Sequence, residues 1–295
     1  MRTSSDRRRQ FRARAVAVAV LAGAGLAFAH AVTGATIAGS ILAAAAGGHS
    51  LPDTAAAAPA SAPAREPVTT SARPAPNPVL PFNAKLTSDD IPVPGGGVRS
   101  GACSGALVAP QWIVTAGHCF HDLKDARIGG RPPYTMTVTV GRLKDSDPGG
   151  YTSEVVDVRQ SPVNDLAVAK LGSPIDDIVP VRLATTRPSV GKQLQFAGWG
   201  SLSATVLGPS DHLKRGRFTV SGIGQATLEA QPVGRRTVEN GPCPEDSGGP
   251  FFVSDDDRTG TLVAIVNTGP PCPQPGPETI ARVDVVADWI REQTG

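Results

Sequence analysis

The chain has 295 residues, of which 40% are hydrophobic and 18% are charged, and its formal net charge is +2. Six arginines and one aspartate give residues 1–14 a net charge of +5, which leaves about −3 for residues 15–295. The positive net charge of the chain therefore comes from residues 1–14 alone. The rest of the chain lacks the clustered Lys and Arg of a nucleic-acid surface, so we expect no nucleic-acid partner.

The N-terminal region has the pattern of an export signal. After the basic start, no charged residue occurs from Ala15 to Ala46, and this order is typical of a secretory signal peptide. The apolar run is long enough that residues 1–46 could instead be a retained membrane anchor. Because His30 and Ser40 interrupt the run, and because a signal core needs less apolar length than a membrane span, we favour cleavage and secretion over an anchored protein that faces outside.

The composition changes again in residues 47–81, where Ala, Pro, Ser and Thr predominate. Such a segment buries too little apolar surface to fold by itself. We interpret it as a linker or a pro-segment, and composition does not distinguish the two. Residues 82–295 then form the folded part, whose length suits one large all-β domain or two small barrels.

Short strand-like runs follow one another through this folded part. The clearest are 82–86, 106–108, 112–114, 135–140, 154–158, 166–168, 193–196, 217–220 and 262–266. Turns rich in Gly and Pro separate them without a long helical period, which predicts an antiparallel barrel or sandwich. Near the C-terminus, apolar residues recur at helical spacing and predict one helix that packs on the strands. They are Val285, Val286, Trp289 and Ile290.

The four cysteines are Cys103, Cys119, Cys243 and Cys272. An even number in an exported chain indicates disulfide bonds, and four cysteines allow three pairings. We choose the pairing of sequence neighbours, Cys103 with Cys119 and Cys243 with Cys272. The alternative is a metal site in the His-Cys-Phe-His run at residues 118–121, but no paired C-x-x-C accompanies it, so we predict no metal.

Three segments carry residue types that suit nucleophilic catalysis. His118 follows an apolar strand, Asp165 precedes another, and Ser247 lies in the run Asp-Ser-Gly-Gly-Pro before a third. Singly, each has an ordinary explanation as packing, a turn residue or a loop. Together they supply what a serine hydroxyl needs, which is a base to activate it and a carboxylate to orient that base. An imidazole suits the role of base near neutral pH.

With their flanking residues, these segments resemble the chymotrypsin/trypsin family of serine proteases. The resemblance is carried by residues 103–108, 112–119, 164–171, 198–200 and 243–250, in the family's order of His, Asp and Ser. It covers about residues 82–290. It implies an all-β fold of two antiparallel six-stranded barrels with a C-terminal α-helix, a catalytic cleft between the barrels, and the two disulfides chosen above. The G-x-S-x-G signature of α/β-hydrolases is not matched around Ser247.

The resemblance also implies roles for the catalytic residues. His118 would be the general base and then the general acid, Asp165 would orient it, and Ser247 would be the nucleophile. The backbone N–H groups of Glu245 and Ser247 would form the oxyanion hole. However, Glu245 stands where the family has glycine. A side chain there disturbs the turn, and its carboxylate is unfavourable near a developing oxyanion.

A second departure concerns activation. In the family, a freed α-amino group pairs with the aspartate before the nucleophile, here Asp246, but the family's activation sequence is absent from this chain. Either another basic group serves Asp246, or processing is unusual.

Substrate binding is also implied by the resemblance. Asn267, Thr268 and Gly269 would form the edge strand that binds the substrate backbone by β-augmentation, although the first two replace the family's usual Ser and Trp. Gly241 would lie at the floor of the pocket for the residue before the scissile bond, where trypsin-like enzymes carry an aspartate. Glu278 either points into this pocket and favours basic residues, or is a solvated loop charge.

The function that these features favour is a secreted serine endopeptidase that works through an acyl-enzyme intermediate. We expect a polypeptide substrate, no cofactor and a monomer, with membrane association only if residues 1–46 are retained. An esterase-like or narrowly restricted hydrolase is an alternative that Glu245 suggests. A catalytically silent binding module is another, and the matched set of Ser247, His118 and Asp165 argues against it.

Overall fold

The computed structural model describes residues 75–124 and 126–295. The predicted signal or anchor at residues 1–46, and most of the predicted linker, lie outside the described residues. The described part contains the following elements in chain order: β1 (Asn83–Pro92), β2 (Val98–Ala109), β3 (Trp112–Thr115), β4 (Thr137–Val140), β5 (Tyr151–Gln160), β6 (Ala167–Leu171), β7 (Arg182–Leu183), β8 (Gln193–Gly198), β9 (Lys214–Ile223), β10 (Thr227–Pro232), β11 (Pro250–Val253), β12 (Thr261–Thr268), β13 (Glu278–Arg282) and α1 (Ala287–Thr294). Within these ranges, no helix has the length and apolar character needed to cross a membrane.

The first six strands close into a barrel in the order β1-β2-β3-β6-β5-β4, with β1 pairing back to β4. The alternation of side chains along a strand explains which residues fill it. In β4, for example, Val138 and Val140 are fully buried while Thr137 and Thr139 are half-exposed. All of these neighbouring pairs are antiparallel.

The second barrel has the strand order β11-β8-β9-β10-β13-β12 and closes where β11 pairs with β12. The two-residue strand β7 adds to it in parallel beside β12. Its interior contains Phe196, Phe218 and Phe251, whose ring centroids lie 5.0 to 6.1 Å apart in edge-on and tilted arrangements. The prediction of two antiparallel six-stranded barrels is confirmed.

Contacts between the barrels fix the cleft that they form. Phe82 of the first barrel meets Phe252 of the second edge-to-face at 5.4 Å. The indole N–H of Trp199 donates to Asn83 Oδ1 at 2.8 Å. Helix α1 lies beside β6, buries Ala287 and Ile290 and contributes Ile290 to the hydrophobic core, which confirms the predicted C-terminal helix.

Both predicted disulfides are present. Cys103 is bonded to Cys119 and Cys243 to Cys272. The first therefore ties β2 to the turn that carries His118, and takes Cys119 out of any metal site. The second closes the loop after β12 onto the turn that carries Ser247. Disulfides persist in oxidising compartments, so the pairing agrees with a location outside the cytosol.

Candidate active site

The three predicted catalytic residues come together where the barrels meet. His118 lies in a 3₁₀ turn, Gly117–Cys119, directly after β3. Asp165 lies in the turn between β5 and β6, and Ser247 lies three residues before β11. The first barrel therefore supplies the imidazole and the carboxylate, and the second supplies the hydroxyl.

A continuous chain of hydrogen bonds links these side chains. Ser247 Oγ lies 2.7 Å from His118 Nε2, and His118 Nδ1 lies 2.6 Å from Asp165 Oδ2. The backbone N–H of His118 also donates to Asp165 Oδ1 at 2.9 Å. Because both carboxylate oxygens are engaged, the imidazole is held with Nδ1 toward the carboxylate and Nε2 toward the serine.

The Asp165 carboxylate is suited to remain ionised. Burial raises its pKa, but the hydrogen bond from His118, the charge of the imidazole and that of Arg127 outweigh burial, so the pKa lies below its usual value. Arg127 Nη1 is 3.3 Å from Asp165 Oδ1. Sequence reasoning missed Arg127, since an exposed loop arginine shows no pattern that ties it to a carboxylate elsewhere in the chain.

The turn before Ser247 presents two backbone N–H groups. Its shape depends on Glu245, which adopts a left-handed φ of 75°. Within the described residues, the N–H groups of Glu245 and Ser247 donate to no protein acceptor, whereas the Ser247 carbonyl accepts the Ser104 N–H at 2.8 Å. The free pair has the character of an oxyanion site.

The Glu245 side chain is half-buried and turns away from the cleft. It is absent from the lining of both cavities that contact Ser247, and the backbone of Gly208 interacts with its carboxyl. Burial raises its pKa above the usual value, and Oε2 is buried without a hydrogen-bond partner. Glu245 therefore combines backbone strain with a poorly solvated carboxyl.

Asp246 is fully buried and has an internal cationic partner. This agrees with the first of the two sequence alternatives, in which another basic group pairs with Asp246. Lys214 Nζ, from the first residue of β9, lies 2.5 Å from Asp246 Oδ2, and both side chains are 0% exposed. The carboxylate also accepts the N–H groups of Gly200 and Cys243 at 2.7 and 2.8 Å. Sequence reasoning missed Lys214, although the period of two along β9 places it on the same face as the buried Phe218.

A cavity of about 240 Å³ opens beside Ser247. Glu278 lines it and is only 1% exposed, so it is not a solvated loop charge. Its Oε1 lies 2.6 Å from Nη2 of Arg236, a residue that sequence reasoning did not single out. Gly241, the expected floor, is buried but does not line the cavity, because the Arg236 side chain packs against its Cα.

Residues 267–269 lie along the same cavity. Asn267 and Thr268 end strand β12, and Gly269 follows them. A Cβ atom on Gly269 would come within 1.9 Å of Glu278 Oε2, so a larger residue here would displace this carboxylate.

A second cavity, of about 170 Å³, lies on the other side of His118 and Ser247, and Arg99, His121 and Met136 contribute to its lining. The serine thus stands between two depressions of an open cleft. Together with the hydrogen-bonded chain of side chains and the two antiparallel barrels, this arrangement defines a serine hydrolase.

Comparisons with known proteins specify the class. The model of the family described as Trypsin matches residues 71–290. Brachyurin of Leptuca pugilator is 30% identical over 211 residues, which cover 65% of this chain and 88% of the relative. Trypsin-3 of Homo sapiens is 27% identical over 227 residues, which cover 72% of this chain and 68% of the relative. The chain belongs to the trypsin family, and it is a serine endopeptidase that acts on polypeptides.

A solved structure shares the fold. It is described as neuropsin, a serine protease expressed in the limbic system of mouse brain. It matches with a TM-score of 0.57 at 21% identity, over 73% of this chain and 95% of that chain. This likeness bears on the fold alone.

Proposed function

We propose that this endopeptidase is secreted, acts as a monomer, and uses Ser247, His118 and Asp165 as its catalytic triad. The observation that carries the proposal is the continuous chain from Ser247 Oγ to His118 Nε2 at 2.7 Å and from His118 Nδ1 to Asp165 at 2.6 Å. Hydrogen-bond contact between nucleophile and base, with the base oriented by a third group, is the geometry that activates a serine.

In the first half of the reaction, Ser247 Oγ attacks the carbonyl carbon of the scissile bond while His118 Nε2 accepts the hydroxyl proton. The carbonyl oxygen becomes an oxyanion, which the N–H groups of Glu245 and Ser247 stabilise. His118 then donates its proton to the amide nitrogen as the C–N bond breaks. The amine product leaves, and the acyl group remains on Ser247 as an ester.

In the second half, a water molecule attacks the ester carbon and His118 accepts a proton from it. Collapse of the second tetrahedral intermediate breaks the bond to Ser247 Oγ, which regains its proton from His118. Throughout, the ionised Asp165 stabilises the imidazolium form of the base without accepting its proton. The low pKa of Asp165 supports this role.

We assign the substrate backbone to residues 267–269, where an extended peptide would add to the end of β12. The side chain before the scissile bond would enter the 240 Å³ cavity lined by Ser247, Gly269 and Glu278. This position follows from the cavity's contact with the nucleophile.

Labelling with a fluorophosphonate probe tests the proposal. In the full chain, Ser247 Oγ is expected to bond to phosphorus as fluoride leaves, with His118 taking the hydroxyl proton. Ser247→Ala is expected to abolish labelling, and His118→Ala to slow it by about 1,000-fold or more. Mass spectrometry of the labelled peptide identifies the site. A folded, disulfide-bonded wild type that stays unlabelled would overturn the proposal in favour of a silent binding module.

Glu245→Gly is expected to raise kcat. The substitution relieves the left-handed strain at a residue whose N–H belongs to the proposed oxyanion site, and it removes a poorly solvated carboxyl from the same turn. A gain of about 1 kcal/mol in transition-state stabilisation corresponds to roughly fivefold in kcat. Steady-state turnover of a peptide amide measures it, with Glu245→Gln as the control that removes the charge and keeps the side chain. An unchanged or lower kcat in Glu245→Gly would count against this reasoning.

Glu245 is also the observation that favours the alternative function, an esterase-like or narrowly restricted serine hydrolase. Comparing amide and ester substrates of the same acyl group separates the two. Turnover of the ester alone would identify the esterase.

A further inference from the structure

The cavity beside Ser247 contains a buried ion pair. Arg236 and Glu278 are 6% and 1% exposed, and their charged groups lie 2.6 Å apart. Both residues line the cavity, together with Val266 and the disulfide-bonded Cys272. A side chain that enters the cavity therefore meets both charges of the pair.

Arg236 occupies the base of this cavity because Gly241 has no side chain. A Cβ atom on Gly241 would lie 2.9 Å from Arg236 Nε and 3.0 Å from its Cγ. The stem of the arginine thus fills the space that a side chain at position 241 would take. An aspartate at position 241 and an arginine at position 236 could not both fit in their present places.

The guanidinium is fixed from several sides. Nη1 donates to the carbonyls of Gln274 at 3.0 Å and Pro270 at 3.4 Å, and Nη2 donates to the Pro242 carbonyl. These carbonyls belong to the two loops joined by the disulfide between Cys243 and Cys272. With so many acceptors around it, Arg236 stays in place when a substrate enters.

Glu278 alone would make the cavity select a cation. Its carboxylate lies against Gly269, beside the proposed site of the substrate backbone. The guanidinium of Arg236 already neutralises this carboxylate. A lysine or arginine side chain would bring a second cation into a cavity that already holds the buried guanidinium of Arg236, and like charges that share a site repel each other.

We propose that Arg236 is a specificity-determining residue, which cancels the charge of Glu278 and directs the cavity to uncharged side chains before the scissile bond. The inference rests on the proposed function, since it takes this cavity as the binding site for that side chain. It differs from the expectation that Glu278 selects basic residues.

The test uses matched peptide amides that differ only in the residue before the scissile bond, namely Arg, Lys, Leu, Phe or Glu. The wild type is expected to cleave after Leu or Phe at least about 10-fold faster than after Arg, measured as kcat/KM. In Arg236→Met, which keeps the stem and removes the charge, the ratio of Arg to Leu cleavage is expected to rise about 100-fold. Assay at about pH 9 keeps Glu278 of the wild type ionised, because burial raises its pKa to about 7 and Arg236 opposes that rise. Since the loss of Arg236 raises this pKa further, the ratio in Arg236→Met is followed as the pH is increased from about 7 to about 10.

The double variant Arg236→Met/Glu278→Gln is the matched control. It leaves no unpaired charge in the cavity, and it is expected to lose the gain in Arg cleavage while it still cleaves after Leu. If Arg236→Met fails to fold, the inference is still tested by the substrate preference of the wild type and by the Arg-to-Leu ratio of the double variant. Wild-type preference for Arg, Lys or Glu would overturn the inference, and so would an unchanged Arg-to-Leu ratio in folded Arg236→Met. Absence of fluorophosphonate labelling would instead overturn the proposed function, and this inference with it.

Discussion

Replacing Lys214 with methionine is expected to lower the rate of Ser247 acylation by about 100-fold or more, the usual effect of losing an oxyanion donor. Lys214 does not contact the triad and does not line the cavities beside Ser247, so we expect the effect to act through Asp246, its ion-pair partner. Asp246 stands between the two residues whose N–H groups form the proposed oxyanion hole. Its position therefore sets the direction of both groups.

The physical reason is that the Asp246 carboxylate has no access to water. Burial raises the pKa of Asp246, and the charge of Lys214 together with its hydrogen bond opposes that rise. Lys214 Nζ also donates to the carbonyls of Ser201, Val238 and Gly241, so it joins β9 to the loop after β8 and to the loop before β11. Without it, the carboxylate would be buried and unpaired. Breaking a buried pair by removing one partner costs about 3–5 kcal/mol.

The measurement is the rate constant of fluorophosphonate labelling, on samples whose folded fraction is known from urea titration. Lys85→Met is the matched control, because Lys85 is also buried but pairs with the half-exposed Asp145 at 2.8 Å. We expect it to label within a few-fold of the wild type. The double variant Lys214→Met/Asp246→Asn is expected to regain stability. Labelling of folded Lys214→Met at the wild-type rate would refute the assigned role.

Lys214 thus pairs with Asp246, the residue for which the resemblance to the family implied a freed α-amino group as partner. Both partners of this pair come from the second barrel. The turn before Ser247 is thus held by a side chain of the barrel itself.

Gly248→Ala is expected to destabilise the protein by about 3 kcal/mol or more. Gly248 has a φ of 80°, which disfavours any residue with a Cβ. The added Cβ would also lie 2.4 Å from the Ser104 carbonyl oxygen and 2.6 Å from the Ala116 backbone nitrogen. These atoms belong to the backbone of the first barrel, so neither can move without separating the barrels beside Ser247.

Gly234→Ala provides the control for backbone strain alone. Gly234 has a similar φ of 86°, but an added Cβ would meet no atom within 4 Å. We expect it to lose about 1 kcal/mol. The free energies of unfolding from urea titration compare the two variants. Equal losses would mean that the close approach of the backbone at Gly248 does not contribute to the destabilisation.

The sequence predicted the fold because local signals and the global architecture agree. The runs around Val138, Val168 and Phe218 alternate or are β-branched, and each lies in a strand of the structure. Strands β7, β10 and β13 were not predicted. In β10, the inward residues are Leu228 and the weakly apolar Ala230, so the strand is defined by its pairing with neighbours more than by its own composition.

The catalytic triad was proposed from sequence because each member lies in its own short motif beside a strand. Chain order, cysteine positions and the Asp-Ser-Gly-Gly-Pro turn together located His118, Asp165 and Ser247, and the structure brings their side chains into hydrogen-bond contact. Pairing each cysteine with its nearest neighbour in the sequence also predicted both disulfides. Local sequence is enough to predict such a residue, because its role depends on the strand or turn in which it lies.

Only the tertiary structure decided how the buried charges are paired. The sequence placed Asp246 and Glu278 near the site, but it gave no partner for either. Lys214 and Arg236 reach them from distant parts of the second barrel, and neither belongs to a motif. A long side chain can approach a carboxylate from many directions, so its partner depends on how strands and loops pack in space. For this protein, the sequence determined which residues are candidates for catalysis. The packing determined which cation neutralises each buried carboxylate, and therefore the charge of the cavity beside Ser247.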